Sequence, residues 1–175
     1  KATLTMKTTN RIYLIGMMGS GKTTLAKQLA PLLDYSMVDL DEKIVELEKM
    51  DIPTIFHQKG EAYFRQKESE TLKSILSEKI IIATGGGAPC FFDNMDFMLQ
   101  NGLVVFLDVD VKTLTERVLR QKGERPLITS EKPEEVYEML VQRLNQRLPF
   151  YQKAHLTLRG KINSSTALQQ IQHYL

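Results

Sequence analysis

Residues Gly16 to Thr23 read G-M-M-G-S-G-K-T, and each fixed position of that octet has a separate task on a polyphosphate. Glycines permit a tight turn that aims successive backbone N–H groups inward at phosphate oxygens. The lysine adds a mobile positive charge near the β- and γ-phosphates, and the final hydroxyl can ligate Mg²⁺. Gly16, Gly19, Ser20, Gly21, Lys22, Thr23 and Thr24 are therefore the expected nucleotide contacts. So short a pattern also arises by chance, as a glycine-rich turn with no ligand, and its context decides. Here the apolar run Ile12-Tyr13-Leu14-Ile15 leads in, while Leu25, Leu29 and Leu32-Leu33 mark one face of a helix leading out. That setting is the one a P-loop requires, and it predicts binding of a nucleoside triphosphate.

Further candidates follow other apolar runs. Asp39 and Asp41 lie two apart behind Ser36 to Val38. If the strand continues, their side chains point to opposite sides and serve different tasks. One can face Mg²⁺ beside Thr23 while the other reaches an acceptor hydroxyl. Alternatively, Asp41 caps a helix starting near Glu42, since Asp is a favoured N-cap. Gly85-Gly86-Gly87 is either a turn or a place where a ligand approaches bare backbone, and the entropic cost of three glycines favours the ligand. Among the arginines, which are surface residues by default, Arg125 lies next to Pro126 in a loop. It suits the movable cation that a kinase places on a transferring phosphoryl group. Arg65 and Arg147 could hold an acidic substrate by bidentate forks. His57, His155 and His173 show no ligand spacing, Cys90 has no histidine close by, and the eight methionines read as core filling, with Met17 and Met18 occupying free P-loop positions.

Something must hold these groups together. Strand-like runs at Ile12 to Ile15, Ser36 to Val38, Ile80 to Ala83, Leu103 to Leu107 and Leu156 to Leu158 alternate with helical patterns. This alternation predicts an α/β fold, a parallel sheet with helices on both faces. Ile80 to Ala83 is apolar throughout, as a strand covered on both faces should be. Ligands of such sheets bind beyond the carboxyl ends of the strands, and that is where the P-loop, the Asp pair and the glycine triplet fall. Arg120 to Pro133 (R-Q-K-G-E-R-P-L-I-T-S-E-K-P) is the one long polar stretch and predicts a disordered segment or a mobile lid. Pro31 should kink or end the first helix early.

The 175 residues fit one domain over the whole chain, with residues 1–10 as an N-terminal extension and Lys1 to Thr5 read as a trimmed leader or cloning remnant. With 23 basic and 21 acidic residues the net charge is +2, too balanced to point to nucleic acid or an acidic membrane. No apolar run approaches the ~18 residues of a membrane span. A lone cysteine suits a reducing cytoplasm.

Taken in order, G-M-M-G-S-G-K-T, V-D-L-D, G-E-A-Y-F-R, T-G-G-G, R-P-L and R-L-P-F-Y make the chain resemble the shikimate kinases from about Arg11 to the C-terminus. The resemblance implies a three-layer P-loop fold with a five-stranded parallel sheet of order 2-3-1-4-5 and a lid. It also implies ATP- and Mg²⁺-dependent phosphorylation of the 3-hydroxyl of shikimate, by a cytoplasmic monomer, in the route to chorismate. Carried over by residue, Lys22 contacts the phosphates, and Thr23 with Asp39 serves the metal. Asp41 holds the acceptor hydroxyls and orients or deprotonates the attacking one. Arg65 and Arg147 grip the carboxylate, and Gly85, Gly86 and Gly87 line the ring. Arg125 reaches the phosphates from the lid, while Arg120 and Asn163 lie on the adenine side. Asp34 stands where that family often has glycine. The main rivals are a gluconate or nucleoside monophosphate kinase on the same fold, and an inactive binding relative.

Overall fold

The computed structural model describes residues 10–121 and 132–175. Five strands, β1 (Arg11–Ile15), β2 (Ser36–Asp39), β3 (Ile80–Ala83), β4 (Leu103–Asp108) and β5 (Leu156–Arg159), form one sheet of order β2-β3-β1-β4-β5. Every pairing is parallel, with Ile12 opposite both Ile81 and Leu103. The apolar runs thus become strands within a residue of where the sequence places them.

Around the sheet pack α1 (Lys22–Leu33), α2 (Leu40–Glu48), α3 (Ile52–Lys59), α4 (Glu61–Ser74), α5 (Asn94–Asn101), α6 (Val111–Arg120), α7 (Pro133–Tyr151) and α8 (Ser164–Gln172). Alternation along β1 divides the core. Ile12 and Leu14 face α1 and α8 through Leu25, Leu29, Ala167 and Ile171. Tyr13 and Ile15 face the other layer, with Leu40, Phe64, Met98, Leu114 and Leu140. All of β1 and β3 is buried, so these strands carry apolar side chains on both faces. Arg11 is the exception that extends β1 beyond the apolar run. Its guanidinium, buried, donates to the carbonyls of Ser77 (3.1 Å), Asn101 (2.7 Å) and Leu76, closing the sheet's amino-terminal edge. No helix among the described residues is long and apolar enough to cross a membrane.

Two local expectations are corrected. Pro31 does not end α1, which runs on to Leu33 and closes on Asp34 at φ 57°. Pro149 likewise lies inside α7. Each proline is third from its helix end, and Lys27 and Asn145, whose carbonyls lose their donor, are exposed, so water can replace the missing hydrogen bond. The left-handed backbone at Asp34 is one that glycine adopts freely and Asp tolerates. The second correction concerns Asp41, which neither continues β2 nor caps a helix. Asp39 is the N-cap, its carboxylate accepting from Glu42 N at 3.1 Å, and Asp41 stands in the first turn of α2. The strand-to-helix change, rather than strand alternation, separates the two carboxylates.

Candidate active site

Beyond the carboxyl ends of the strands opens a cleft of about 690 Å³, lined at one end by Gly19 to Thr24 and at the other by Asp41, Gly85 and Gly86. The order of the sheet explains its place: β1 has β3 on one side and β4 on the other, so the chain leaves in opposite directions there. Gly16, Gly19 and Gly21 have φ of 147°, 80° and 93°, values that L side chains rarely adopt. A Cβ at Gly16 would also lie 2.9 Å from Leu107 O. Following this turn, α1 begins at Lys22 with no side-chain cap, leaving its first N–H groups directed toward an anion. Ser20 Oγ is buried with no hydrogen-bond partner among the described residues.

Lys22 Nζ donates to the carbonyls of Gly16 (2.6 Å) and Met17 (3.0 Å), which folds the side chain back over the loop. Thr23 Oγ1 donates to Asp39 Oδ2, and capping of α2 orients that carboxylate. A hydroxyl beside a carboxylate fits Mg²⁺, which takes few protein ligands and completes its shell from water and phosphate oxygens. Among the described residues no cluster of three metal-binding acids, histidines or cysteines occurs.

At the far end of the nucleotide side lie Arg117, Arg120, Gln121, Gly160 and Ile162. Arg117 was not singled out by sequence. Its Nη1 donates to Gly19 O at 3.0 Å, one turn before Arg120 on the same helix, and that i,i+3 spacing was the available signal. Asn163 is exposed and does not line the cleft. Its side chain caps α8, accepting from Thr166 N at 2.9 Å. Arg125 lies outside the described residues, as does most of the predicted lid.

On the acceptor side, none of Gly85, Gly86 and Gly87 has a positive φ, so turn geometry does not require them. Space does. A Cβ at Gly85 would sit 3.0 Å from Asp41 Oδ1, one at Gly86 would sit 2.9 Å from Arg147 Nη1, and one at Gly87 would sit 2.7 Å from both Nη atoms of Arg65. The close approach inferred from sequence is made first by the protein's own charged groups. The three glycines let Asp41, Arg147 and Arg65 stand side by side. Tyr151 OH donates to Gly86 O at 2.5 Å, and its ring packs 4.9 Å from Phe106. Asn94 donates to Ala88 O at 2.8 Å and accepts from Ser69 at 2.6 Å, tying α4 to the segment after the triplet.

Arg65 is 6% exposed. Its Nη1 donates to Glu68 Oε1 at 3.0 Å, its Nε lies 3.4 Å from Glu61 Oε1, and its guanidinium stacks 4.3 Å from the Phe91 ring centroid. A surface arginine has none of this support. Glu68, also missed by sequence, is wholly buried, and its Oε2 has no hydrogen-bond partner among the described residues. The i,i+3 spacing from Arg65 could have marked it. Burial pushes its carboxyl up from 4.5 to about 7, Asp41 pushes it the same way, and Arg65 opposes both.

This shift has a measurable consequence. Below the ordinary value both folded and unfolded carboxyls hold a proton, and no stability is lost. As pH rises from 4.5 toward about 7 the unfolded chain releases its proton first, so stability falls and then levels off. Glu68→Gln cannot titrate. Its unfolding free energy relative to wild type should therefore rise by about 1–3 kcal/mol between about pH 5 and pH 8. Urea unfolding at both pH values measures this. A constant difference would show that Arg65 keeps Glu68 ionised throughout.

The histidines behave as structural groups: His155 Nδ1 accepts from Val104 N at 2.9 Å, and His57 and His173 are exposed. Burial pushes the Cys90 thiol up, away from a reactive thiolate. Met17 and Met18 do more than fill space. Both are buried, and they lie against Arg147 and Arg143 at 3.8 and 3.9 Å.

A P-loop at the switch point of a 2-3-1-4-5 parallel sheet, facing a carboxylate and a glycine wall backed by arginines, defines a kinase of the P-loop fold. Residues 18–175 match the family model for shikimate kinase. The shikimate kinase of Bacteroides fragilis is 42% identical over 171 residues, covering 94% of this chain and 96% of that one. Among solved structures, the shikimate kinase of Bacteroides thetaiotaomicron gives a TM-score of 0.85 at 37% identity, covering 93% of this chain and 96% of its own. That of Acinetobacter baumannii in complex with shikimate gives 0.84 at 35%, covering 96% and 93%. The chain belongs to the shikimate kinase family.

Proposed function

We propose that the protein transfers the γ-phosphoryl group of ATP to the 3-hydroxyl of shikimate. The observation that carries this reading is the placement of Asp41, Arg147 and Arg65 along three successive glycines, of which Gly85 and Gly86 line the same cleft as Asp41 and the P-loop. Shikimate carries one carboxylate and three hydroxyls. Two guanidiniums suit the carboxylate by charge-assisted forks, and Asp41 suits the hydroxyls. The shikimate-bound relative from Acinetobacter baumannii supports the same acceptor.

In the reaction the acceptor oxygen forms a bond to the γ-phosphorus as the bond from that phosphorus to the β–γ bridging oxygen breaks, and ADP leaves. Asp41 orients the attacking hydroxyl, accepts its proton and passes it to water. The P-loop amides and Lys22 hold the phosphates in line. Thr23 and Asp39 would hold Mg²⁺, which would supply charge neutralisation to the phosphates. Arg120, with Arg117, Gly160 and Ile162, flanks the base. Arg125 belongs to a lid over residues 120–133 that closes over both substrates and excludes water, because a poised γ-phosphate would otherwise be hydrolysed. We read the enzyme as a monomer, and the free thiol of Cys90 suits the cytoplasm.

A coupled ATP-consumption assay over shikimate, gluconate and several nucleoside monophosphates, with and without Mg²⁺, tests this. Turnover should appear with shikimate and Mg²⁺ together. Preference for another acceptor would move the chain to a rival activity.

A further inference from the structure

Tyr151, the last residue of α7, is wholly buried. Its hydroxyl donates to Gly86 O at 2.5 Å and lies 3.7 Å from Met17 Sδ, so one phenol touches both the acceptor wall and the P-loop. Burial pushes this phenol up, and it keeps its proton as a hydrogen-bond donor. Of its two neighbours the carbonyl is the stronger acceptor, because a thioether accepts weakly.

The glycine triplet shows what that donor does. Gly85 O accepts from Ala88 N at 3.1 Å and Gly87 O accepts from Cys90 N at 3.0 Å, so the segment fixes these two carbonyls by its own short turns. The middle carbonyl has no such local partner. Among the described residues Gly86 O is held by Tyr151, 65 residues away in sequence. A trans peptide is planar, and its C=O and N–H point in opposite directions. The Gly87 N–H shares a plane with Gly86 O and is therefore turned away from Tyr151. It makes no hydrogen bond among the described residues. It stands beside Arg65, whose two Nη atoms would each lie 2.7 Å from a Cβ on Gly87. With no side chain at either glycine, this peptide could turn over at little steric cost once the Tyr151 bond is lost.

We propose that Tyr151 is a positioning residue: through Gly86 O it turns the Gly87 N–H toward the substrate carboxylate, beside Arg65. The inference rests on the shikimate kinase reading, in which Arg65 and Arg147 bind that carboxylate. The guanidiniums supply charge, and the fixed amide adds a direction to it. Tyr151 touches no reacting atom and exchanges no proton.

Tyr151→Phe removes the hydroxyl and keeps the ring that packs on Phe106. The shikimate KM should rise about tenfold while kcat and the ATP KM stay within about twofold. A second acceptor separates direction from packing: the shikimate analogue with a hydroxymethyl group in place of the carboxylate. Its kcat/KM should be nearly the same in variant and wild type, so the preference for shikimate should shrink about tenfold. In wild-type enzyme carrying isotope-labelled glycine, the Gly87 amide proton should move downfield in NMR spectra with shikimate and stay in place with the analogue. An unchanged shikimate KM, or a Gly87 amide that does not respond to shikimate, would overturn the proposal. So would an equal loss with both acceptors, or a raised ATP KM with a lowered Tm, either of which would make Tyr151 a packing residue. Wild-type enzyme with no preference for the carboxylate would instead overturn the reading of that pocket, whatever Tyr151 does.

Discussion

Asp41→Asn should lower kcat by about 10²–10⁴-fold while leaving ATP affinity within about twofold. The substitution preserves shape and keeps an oxygen that can accept a hydrogen bond from the shikimate hydroxyl, but removes the group that takes its proton. The nucleotide side should be indifferent. Lys22 is held by the carbonyls of Gly16 and Met17, and Thr23 by Asp39, so none of these contacts runs through Asp41. The fold should be indifferent too, because Asp39 rather than Asp41 caps α2. Single-turnover rates beside a nucleotide-binding titration separate the two effects. An Asn variant that retains most of its turnover would reduce Asp41 to a charged residue in the first turn of a helix.

Gly87→Ala should raise the shikimate KM by about tenfold or more and leave the ATP KM nearly unchanged. The added methyl would meet both Nη atoms of Arg65 at 2.7 Å, closer than any real contact. Because the obstructing atoms belong to a side chain, Arg65 would yield rather than the backbone. Yet Arg65 is held by Glu68, by Glu61 and by stacking on Phe91. Moving it breaks a buried ion pair and misplaces one half of the carboxylate clamp together. Loss of a charge-assisted bond of about 1.5–3 kcal/mol corresponds to roughly 10- to 150-fold in affinity. Steady-state kinetics with each substrate varied in turn would reveal this, and an unchanged shikimate KM would remove Arg65 from the substrate site.

The sheet was legible because its inner strands β1, β3 and β4 are short and apolar on both faces, a pattern that a parallel sheet imposes on sequence. Ile80 to Ala83 could be placed to the residue. β1 was placed one residue short at its start, because Arg11 is charged and its burial depends on three carbonyls distant in sequence. The P-loop was legible because its glycines and lysine are demanded by local backbone geometry. Residues that matter through convergence were harder to see. Glu68 is significant only because Asp41 approaches it from α2 while Arg65 binds it from one turn earlier on α4, and Met17 and Met18 only because α7 lays two arginines over them. The role of the glycine triplet was half visible: its bareness was evident, but the side chains that fill the space come from α2, α4 and α7. Asn163 was named only through the family resemblance, and what the structure adds is that its side chain caps α8.

The γ-phosphate held at the P-loop should be transferred to one hydroxyl of shikimate alone, and NMR of the product formed from ATP, Mg²⁺ and shikimate decides this. A phosphorus resonance coupled to the proton on the carbon bearing the 3-hydroxyl is the predicted result. ADP with free phosphate only, an ester on a different hydroxyl, or unreacted shikimate would contradict it.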